Sequence, residues 1–192
     1  MSFFKIKFNS PIILSFVFIS FFSFALGLLT KGVTTRLFFS VYPSSVYNPL
    51  TYIRVFTHVL GHVDWSHYIN NMLIILVLGP LLEEKYGSGK IVMIILATAF
   101  FSGIANMILF PNTRLLGASG IVFAFILLSS ITSFEQGSIP LTFLLVAVIY
   151  IGGQILDAVF IKNNISNSTH IIGGIVGTIC GYCINGGKNT RV

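Results

Sequence analysis

Long apolar runs separated by short polar segments are the main pattern of this chain. A helix that crosses a membrane needs about 20 mostly apolar residues. The second and fourth of six such runs also hold polar residues at helical spacing, and polar groups inside a membrane usually serve function. The pattern predicts an all-α membrane protein, a single domain over residues 1–192, with spans near residues 11–29, 66–82, 91–110, 117–134, 139–159 and 168–185.

The composition also indicates a membrane protein. Of the 192 residues, 55% are hydrophobic and only 8% are charged, and the mean hydropathy is +0.92. A soluble domain is about 25% charged. Basic residues at membrane edges explain the net charge of +6, so no nucleic-acid partner is required. We interpret Cys180 and Cys183, which share an apolar run, as packing residues.

The N-terminal third of the chain helps to predict how the protein is arranged in the membrane. Lys5 and Lys7 precede the first run as in a signal peptide, but the run is too long for one, so we expect it to be retained. Six spans put both termini on one side, and the distribution of lysine and arginine favours the cytoplasm. Residues 30–65 are rich in aromatic and poor in charged side chains, which indicates a long first loop lying in the membrane interface.

A serine flanked by glycines opens the fourth run, in the sequence Gly117-Ala118-Ser119-Gly120. Small neighbours leave its hydroxyl uncrowded and let another backbone approach. At a helix start, unpaired N–H groups and the helix dipole favour negative charge, so an oxyanion formed there would be stabilised. The alternative is that Ser119 is a helix cap and that the glycines serve packing.

The last run carries His170, the single histidine in the second half of the chain. Gly173 and Gly177 follow it as a GxxxG pattern, which permits close contact between membrane helices. If this face packs on the start of the fourth span, His170 comes within hydrogen-bonding reach of Ser119. A serine becomes an effective nucleophile when a neighbouring base takes its proton. The alternative role of His170 is an interhelical hydrogen bond.

A third polar group lies where the first loop meets the second run: His58, His62, His67, Asn70 and Asn71. His67 and Asn71 are four residues apart and share one helical face. Both can donate hydrogen bonds to a developing oxyanion, as acyl transfer requires. The alternative is a metal site that includes His58, His62 and Asp64, but the HExxH signature of a metalloprotease is absent. We therefore expect neither a metal nor a cofactor.

Together these residues resemble the rhomboid family of intramembrane serine proteases, in its minimal bacterial form. The resemblance covers nearly the whole chain, and its strength comes from several motifs standing in the family's order. These motifs are Arg54-Val-Phe-Thr-His58, His62 with His67, Asn71, Leu78-Gly79, the turn from Glu83 to Lys90, Gly117-Ala118-Ser119-Gly120, and His170-x-x-Gly173-x-x-x-Gly177.

The resemblance implies a rhomboid-like bundle of six helices around a water-filled cavity. It implies that Ser119 is the nucleophile and His170 the general base of a dyad without aspartate. His67 and Asn71 match the family's oxyanion-hole side chains, and His62 matches a histidine that helps to hold water. The supporting residues implied around the dyad are His62, Gly117, Gly120 and Phe123.

The resemblance also implies substrates and a location. Family substrates are single-pass transmembrane proteins with small, helix-breaking residues near the cleaved bond, met within the lipid bilayer. A bacterial member of this kind is expected in the inner membrane, with both termini in the cytoplasm. The polar, turn-prone segment 160–167 beside His170 suggests that the fifth span moves to admit substrate.

Two positions depart from the family pattern without removing a catalytic group. Ile53 stands where many members have tryptophan before the arginine, so anchoring of the first loop is expected to differ. Phe123 replaces a tyrosine, which keeps the ring face against His170 but loses the hydroxyl. The expected activity is that of a serine endopeptidase. The alternatives are a rhomboid-like, non-proteolytic factor that binds membrane proteins, and a small transporter or channel.

Overall fold

The computed structural model describes residues 7–131, 139, 141–160 and 164–186. Side chains in its last two helices are described for residues 141–149, 152 and 169–184. The regular elements within these ranges are helices, without a strand, which confirms the all-α prediction. They are α1 (Pro11–Leu29), α2 (Val33–Phe38), α3 (Pro49–Thr57), a 3₁₀ turn (His58–Leu60), α4 (Trp65–Tyr86), α5 (Ser88–Leu109), α6 (Ser119–Ser130), α7 (Leu141–Phe160) and α8 (Asn164–Gly186).

The helices α1, α4, α5, α6, α7 and α8 overlap the six predicted runs, with different limits for most of them. α1 has the predicted limits, and α6 begins at Ser119, two residues later than predicted. The expected end of the fourth run, residues 132–134, and part of the expected gate, residues 161–163, lie outside the described residues.

Length and hydropathy identify the helices that can cross a membrane. In the described part of the chain, α1, α4 and α5 are long and apolar enough to do so, whereas Ser119–Ser130 and Thr169–Ile184 are shorter apolar helices. At 12 residues, α6 is about 18 Å long, which is less than the roughly 30 Å of a bilayer core. The apolar helices indicate an integral membrane protein, and the number of six spans stays a prediction.

The segment between α1 and α4 is folded around one arginine. Arg54 is only 2% exposed. Its guanidinium donates to the hydroxyls of Tyr42 and Ser44, the latter at 2.7 Å, and lies 4.3 Å from the centre of the Tyr42 ring. Burial of a guanidinium is favourable only when its donors are paired. These bonds tie α3 to the stretch around Tyr42 and Ser44, while Nε of Arg54 has no partner among the described residues.

A buried carboxylate joins α1 to the turn between α4 and α5. Glu83 is 5% exposed and accepts hydrogen bonds from the backbone N–H groups of Ile12 and Ile13, each at 3.1 Å. The hydroxyl of Ser88 donates to the same carboxylate at 2.6 Å. The first N–H groups of a helix have no partner within the helix, and a negative charge at that end is favoured by the helix dipole. Glu83 therefore fixes the position of α1.

Replacement of Glu83 tests this anchor. We expect Glu83→Gln to lower the free energy of unfolding by about 2 kcal/mol, because a charged acceptor of buried N–H groups is lost. The matched control is Glu84→Gln, since Glu84 is exposed and should change little. Thermal unfolding in detergent measures both variants, and equal melting temperatures for the two would contradict the role of Glu83.

Candidate active site

The backbone just before α6 is held by the segment that follows α1. Val41 and Leu115 exchange two backbone hydrogen bonds, at 2.9 and 3.0 Å, as an isolated antiparallel bridge. The N–H of Gly117 donates to the carbonyl of His58 at 3.0 Å. The buried Asn106 adds a bond from its side-chain amide to the carbonyl of Val41 at 3.4 Å. These bonds fix the backbone that leads into Ser119.

Gly117 allows two polar side chains of α4 to reach this backbone. Its φ is +120°, a conformation that side-chain-bearing residues rarely adopt. A Cβ on Gly117 would lie 2.6 Å from Nε2 of His67 and 3.9 Å from Nδ2 of Asn71. His67 and Asn71 therefore lie beside a residue two positions before Ser119, which is the first residue of α6.

His62, His67 and Asn71 form one polar cluster at the start of α4. The Asn71 amide donates to Nε2 of His62 at 3.3 Å, and the two imidazole ring centres are 5.0 Å apart. Asp64 caps α4 by accepting from the N–H of His67 at 2.7 Å. Burial, with a smaller effect of His67, lowers the pKa of His62 to about 4. His62 is therefore a neutral acceptor toward Asn71 at pH 7.

The remaining side of the site is a contact between the backbones of α6 and α8. A Cβ on Gly173 would lie 2.0 Å from the carbonyl oxygen of Gly120, and one on Gly177 would lie 2.3 Å from that of Ala124. Such an approach is possible only for glycine. It places the first turn of α6 against the first half of α8, the part that carries His170.

The ring of Phe123 packs flat against the imidazole of His170. Their centres are 4.2 Å apart and their planes differ by 10°. Phe123 stands one helical turn after Ser119, so the stacked pair lies next to the serine along α6. Helix α6 also packs on α4, the helix that carries His67. The structure thus brings α6, α8 and the polar start of α4 to one place.

His58 belongs to the framework of the site. It is fully buried, and its Nδ1 faces the carbonyls of Arg54 and Val55 at 3.2 and 3.0 Å. Nε2 lies 3.3 Å from the hydroxyl of Ser102 on α5. Burial lowers the pKa of His58 to about 4. The residues that the structure describes include no group of three histidine, cysteine or acidic side chains placed to hold a metal.

Two threonines near the site were not predicted from the sequence. Thr98 and Thr169 are buried and flank Gly120, where a Cβ would lie 3.4 and 3.2 Å from their methyl groups. Thr169 is next to His170 in the chain, which could have drawn attention to it. Thr98 lies in an apolar helix, and nothing in the neighbouring sequence marks it as a residue of the site.

The sequence is similar to a known protein family. The sequence model of the rhomboid domain matches residues 49–186, and the chain belongs to the rhomboid family. It is 28% identical over 155 residues to the rhomboid protease GlpG of Serratia proteamaculans, covering 79% of this chain and 55% of that protein. It is 30% identical over 130 residues to the rhomboid protease GluP of Bacillus subtilis, covering 65% of this chain and 24% of that protein.

A mammalian protein is similar to the same degree. Rhomboid-related protein 2 of Mus musculus is 28% identical over 158 residues, which cover 71% of this chain and 52% of that protein. The chain thus spans about half or less of the length of these relatives. Family membership and the apolar helices together make the chain an integral membrane protein.

The contact between α6 and α8 can be tested by adding one methyl group at position 173. Gly173→Ala places a Cβ against the carbonyl oxygen of Gly120, so we expect the helices to separate, with a loss of about 2 kcal/mol of stability. Gly89→Ala is the matched control, because a Cβ there meets no described atom within 4 Å. Melting temperatures in detergent compare the two variants. A Gly173→Ala protein as stable as Gly89→Ala would contradict the close contact.

The buried side chains of His58 and His62 predict that the stability of the protein depends on pH. The pKa of His58 and of His62 is about 4 in the folded protein and about 6.5 when unfolded. The unfolded state therefore binds more protons between these values, and stability is constant above about pH 7 and falls as the pH drops from 6.5 to 4. Melting temperatures across this range in wild type and His62→Gln measure the effect, and the variant should show the shallower fall. Identical slopes would contradict it.

Proposed function

We propose that this protein is an intramembrane serine endopeptidase in which Ser119 is the nucleophile and His170 the general base. The observation that carries the proposal is the packing of α8 on the first turn of α6, with Gly173 against Gly120 and Phe123 stacked on His170. This packing supports a direct interaction between the serine hydroxyl and the imidazole. The names of the relatives, rhomboid proteases, point to the same activity.

The first half of the proposed reaction is acylation. Oγ of Ser119 attacks the carbonyl carbon of the scissile peptide bond while His170 takes the hydroxyl proton. The tetrahedral intermediate then collapses, the C–N bond breaks, and His170 gives its proton to the leaving amine. Water hydrolyses the resulting ester, with His170 again acting first as base and then as acid.

The negative charge that develops on the carbonyl oxygen needs donors fixed in advance. The N–H of Ser119 stands at the start of α6, where backbone N–H groups have no partner within the helix. His67 and Asn71 lie beside Gly117, two residues before the nucleophile. We assign these three groups to the oxyanion hole. Gly117 and Gly120 keep this space free of side chains.

Water must reach a bond that is cleaved inside a membrane. The buried Nδ1 of His62 has no hydrogen-bond partner among the described residues, and such atoms usually bind water. We assign His62 to the retention of water beside Asn71. We assign Phe123 to positioning: its ring limits rotation of the His170 imidazole without a hydroxyl of its own.

The topology and substrates follow from the same proposal. The chain would form one domain of six spans in the bacterial inner membrane, with both termini cytoplasmic and the first loop in the outer interface. Its substrates would be single-pass membrane proteins whose helices unwind readily, because an intact helix hides its peptide bonds in internal hydrogen bonds. Movement of α7 would admit them to the site.

Cleavage by the purified protein tests this function. A single-pass substrate with small, helix-breaking residues near its outer end is incubated in detergent with wild type, Ser119→Ala and His170→Ala. We expect cleavage by wild type and a loss of at least about 1,000-fold in both variants, because nucleophile and base act as a unit. Ser130→Ala, at the other end of α6, is the matched control and should keep full activity.

Three results would contradict the proposal. Cleavage that persists in Ser119→Ala and is abolished by a chelator would favour a metal mechanism. Equal activity of His170→Ala and wild type would exclude His170 as the base. Tight binding of the substrate by the wild type without cleavage would favour a non-proteolytic binding factor.

A further inference from the structure

A cavity lies on the side of the bundle where α1 ends. Its volume is about 410 Å³, within the range of small-molecule sites. It is bounded by the last turns of α1, by α2, and by the segment that precedes α6. Ser119, His170, His67 and Asn71 are not among its described lining residues.

The cavity is basic. Lys31, Arg36 and Arg114 line it from three different parts of the chain, and the described lining residues include no acidic side chain. The nearby carboxylate of Asp64 is engaged as the cap of α4 by the N–H of His67. Three cations that share one concave site without a carboxylate repel each other, and an anion in that site would relieve the repulsion.

The side chains of all three cations are exposed, and local packing positions the backbone that carries them. A Cβ on Gly27 would lie 2.3 Å from the hydroxyl oxygen of Thr35, so α1 and α2 are in close contact across the cavity. Lys31 has a φ of +50°, which a lysine adopts only at a cost in backbone strain. The guanidinium of Arg114 lies 5.2 Å from the centre of the Tyr42 ring.

The apolar surroundings of the cavity favour a lipid over a free ion as its ligand. Phe24 and Leu28 line its apolar part. Along the outside of α1, Leu28 and Leu29 are 49% and 81% exposed, and Phe21 and Phe22 are also exposed. Acyl chains can cover this apolar face while a phosphate occupies the basic cavity above it.

We propose that this cavity binds the phosphate of an anionic phospholipid headgroup, held by Lys31, Arg36 and Arg114, with the acyl chains along α1. Guanidinium groups bind phosphate through paired hydrogen bonds, and basic side chains near a membrane surface attract anionic headgroups. His62 lines this cavity and accepts a hydrogen bond from Asn71. The lipid site therefore borders the candidate oxyanion hole, because His62 lines the first and bonds to Asn71 of the second.

Binding of short-chain lipids to the purified full-length protein tests the proposal. Native mass spectrometry and thermal unfolding are measured with dihexanoyl phosphatidylglycerol, dihexanoyl phosphatidylcholine and inorganic phosphate at equal concentrations. We expect wild type to bind phosphatidylglycerol, and Arg36→Gln/Arg114→Gln to bind it at least about tenfold more weakly, because each basic residue contributes to headgroup attraction.

The matched control is Lys7→Gln/Lys90→Gln, which removes two exposed cations at the opposite end of the bundle and should bind lipid like wild type. The single variants Arg36→Gln and Arg114→Gln are measured alongside, so that a poorly folded double variant does not decide the result. Equal binding by all variants would overturn the proposal. Equal binding of phosphatidylcholine, or equal stabilisation by inorganic phosphate, would overturn the assignment to an anionic lipid.

Discussion

The contact between the backbones of α6 and α8 is the constraint on which the rest of the structure depends. Within a bilayer the lipid tails are as apolar as the side chains, so helices gain little from burying apolar surface against each other. Their association depends on close packing, and glycines at positions 120, 173 and 177 let two backbones meet without intervening side chains. This contact sets where Ser119 lies relative to His170. The ring of Phe123 then packs against the imidazole.

The segment between α1 and α4 supplies the opposite wall of the site. It is held together by Arg54 and by buried His58, and it pairs with the backbone before α6 through Val41 and Leu115. The imidazole of His58 and the two terminal nitrogens of the Arg54 guanidinium are hydrogen-bonded within this wall, as a low-dielectric environment favours. Ser119 therefore lies between a glycine-mediated helix contact on one side and a hydrogen-bonded framework on the other.

Interactions between residues that are close in the chain can be predicted from the sequence, whereas interactions between residues that are far apart in the chain can be predicted only where a motif marks them. The long helices and the start of α6 follow from local apolar runs, and the closeness of α6 and α8 follows from the GxxxG spacing after His170. The bridge between Val41 and Leu115 joins residues far apart in the chain and has no local signal. Glu83 likewise stands in a charged stretch that looks exposed from the sequence, and only the packing of α1 on the end of α4 shows that its carboxylate is buried.

Activation of Ser119 by His170 can be measured by covalent labelling. A fluorophosphonate probe reacts with an activated serine hydroxyl, and peptide mass mapping locates the modified residue. We expect labelling of Ser119 in the folded wild-type protein and a rate at least about 100-fold lower in His170→Ala, which is the typical contribution of a general base. Labelling of Ser119 at the same rate in both proteins would show that His170 does not activate it, and no labelling of a wild-type protein that cleaves substrate would exclude Ser119 as the nucleophile.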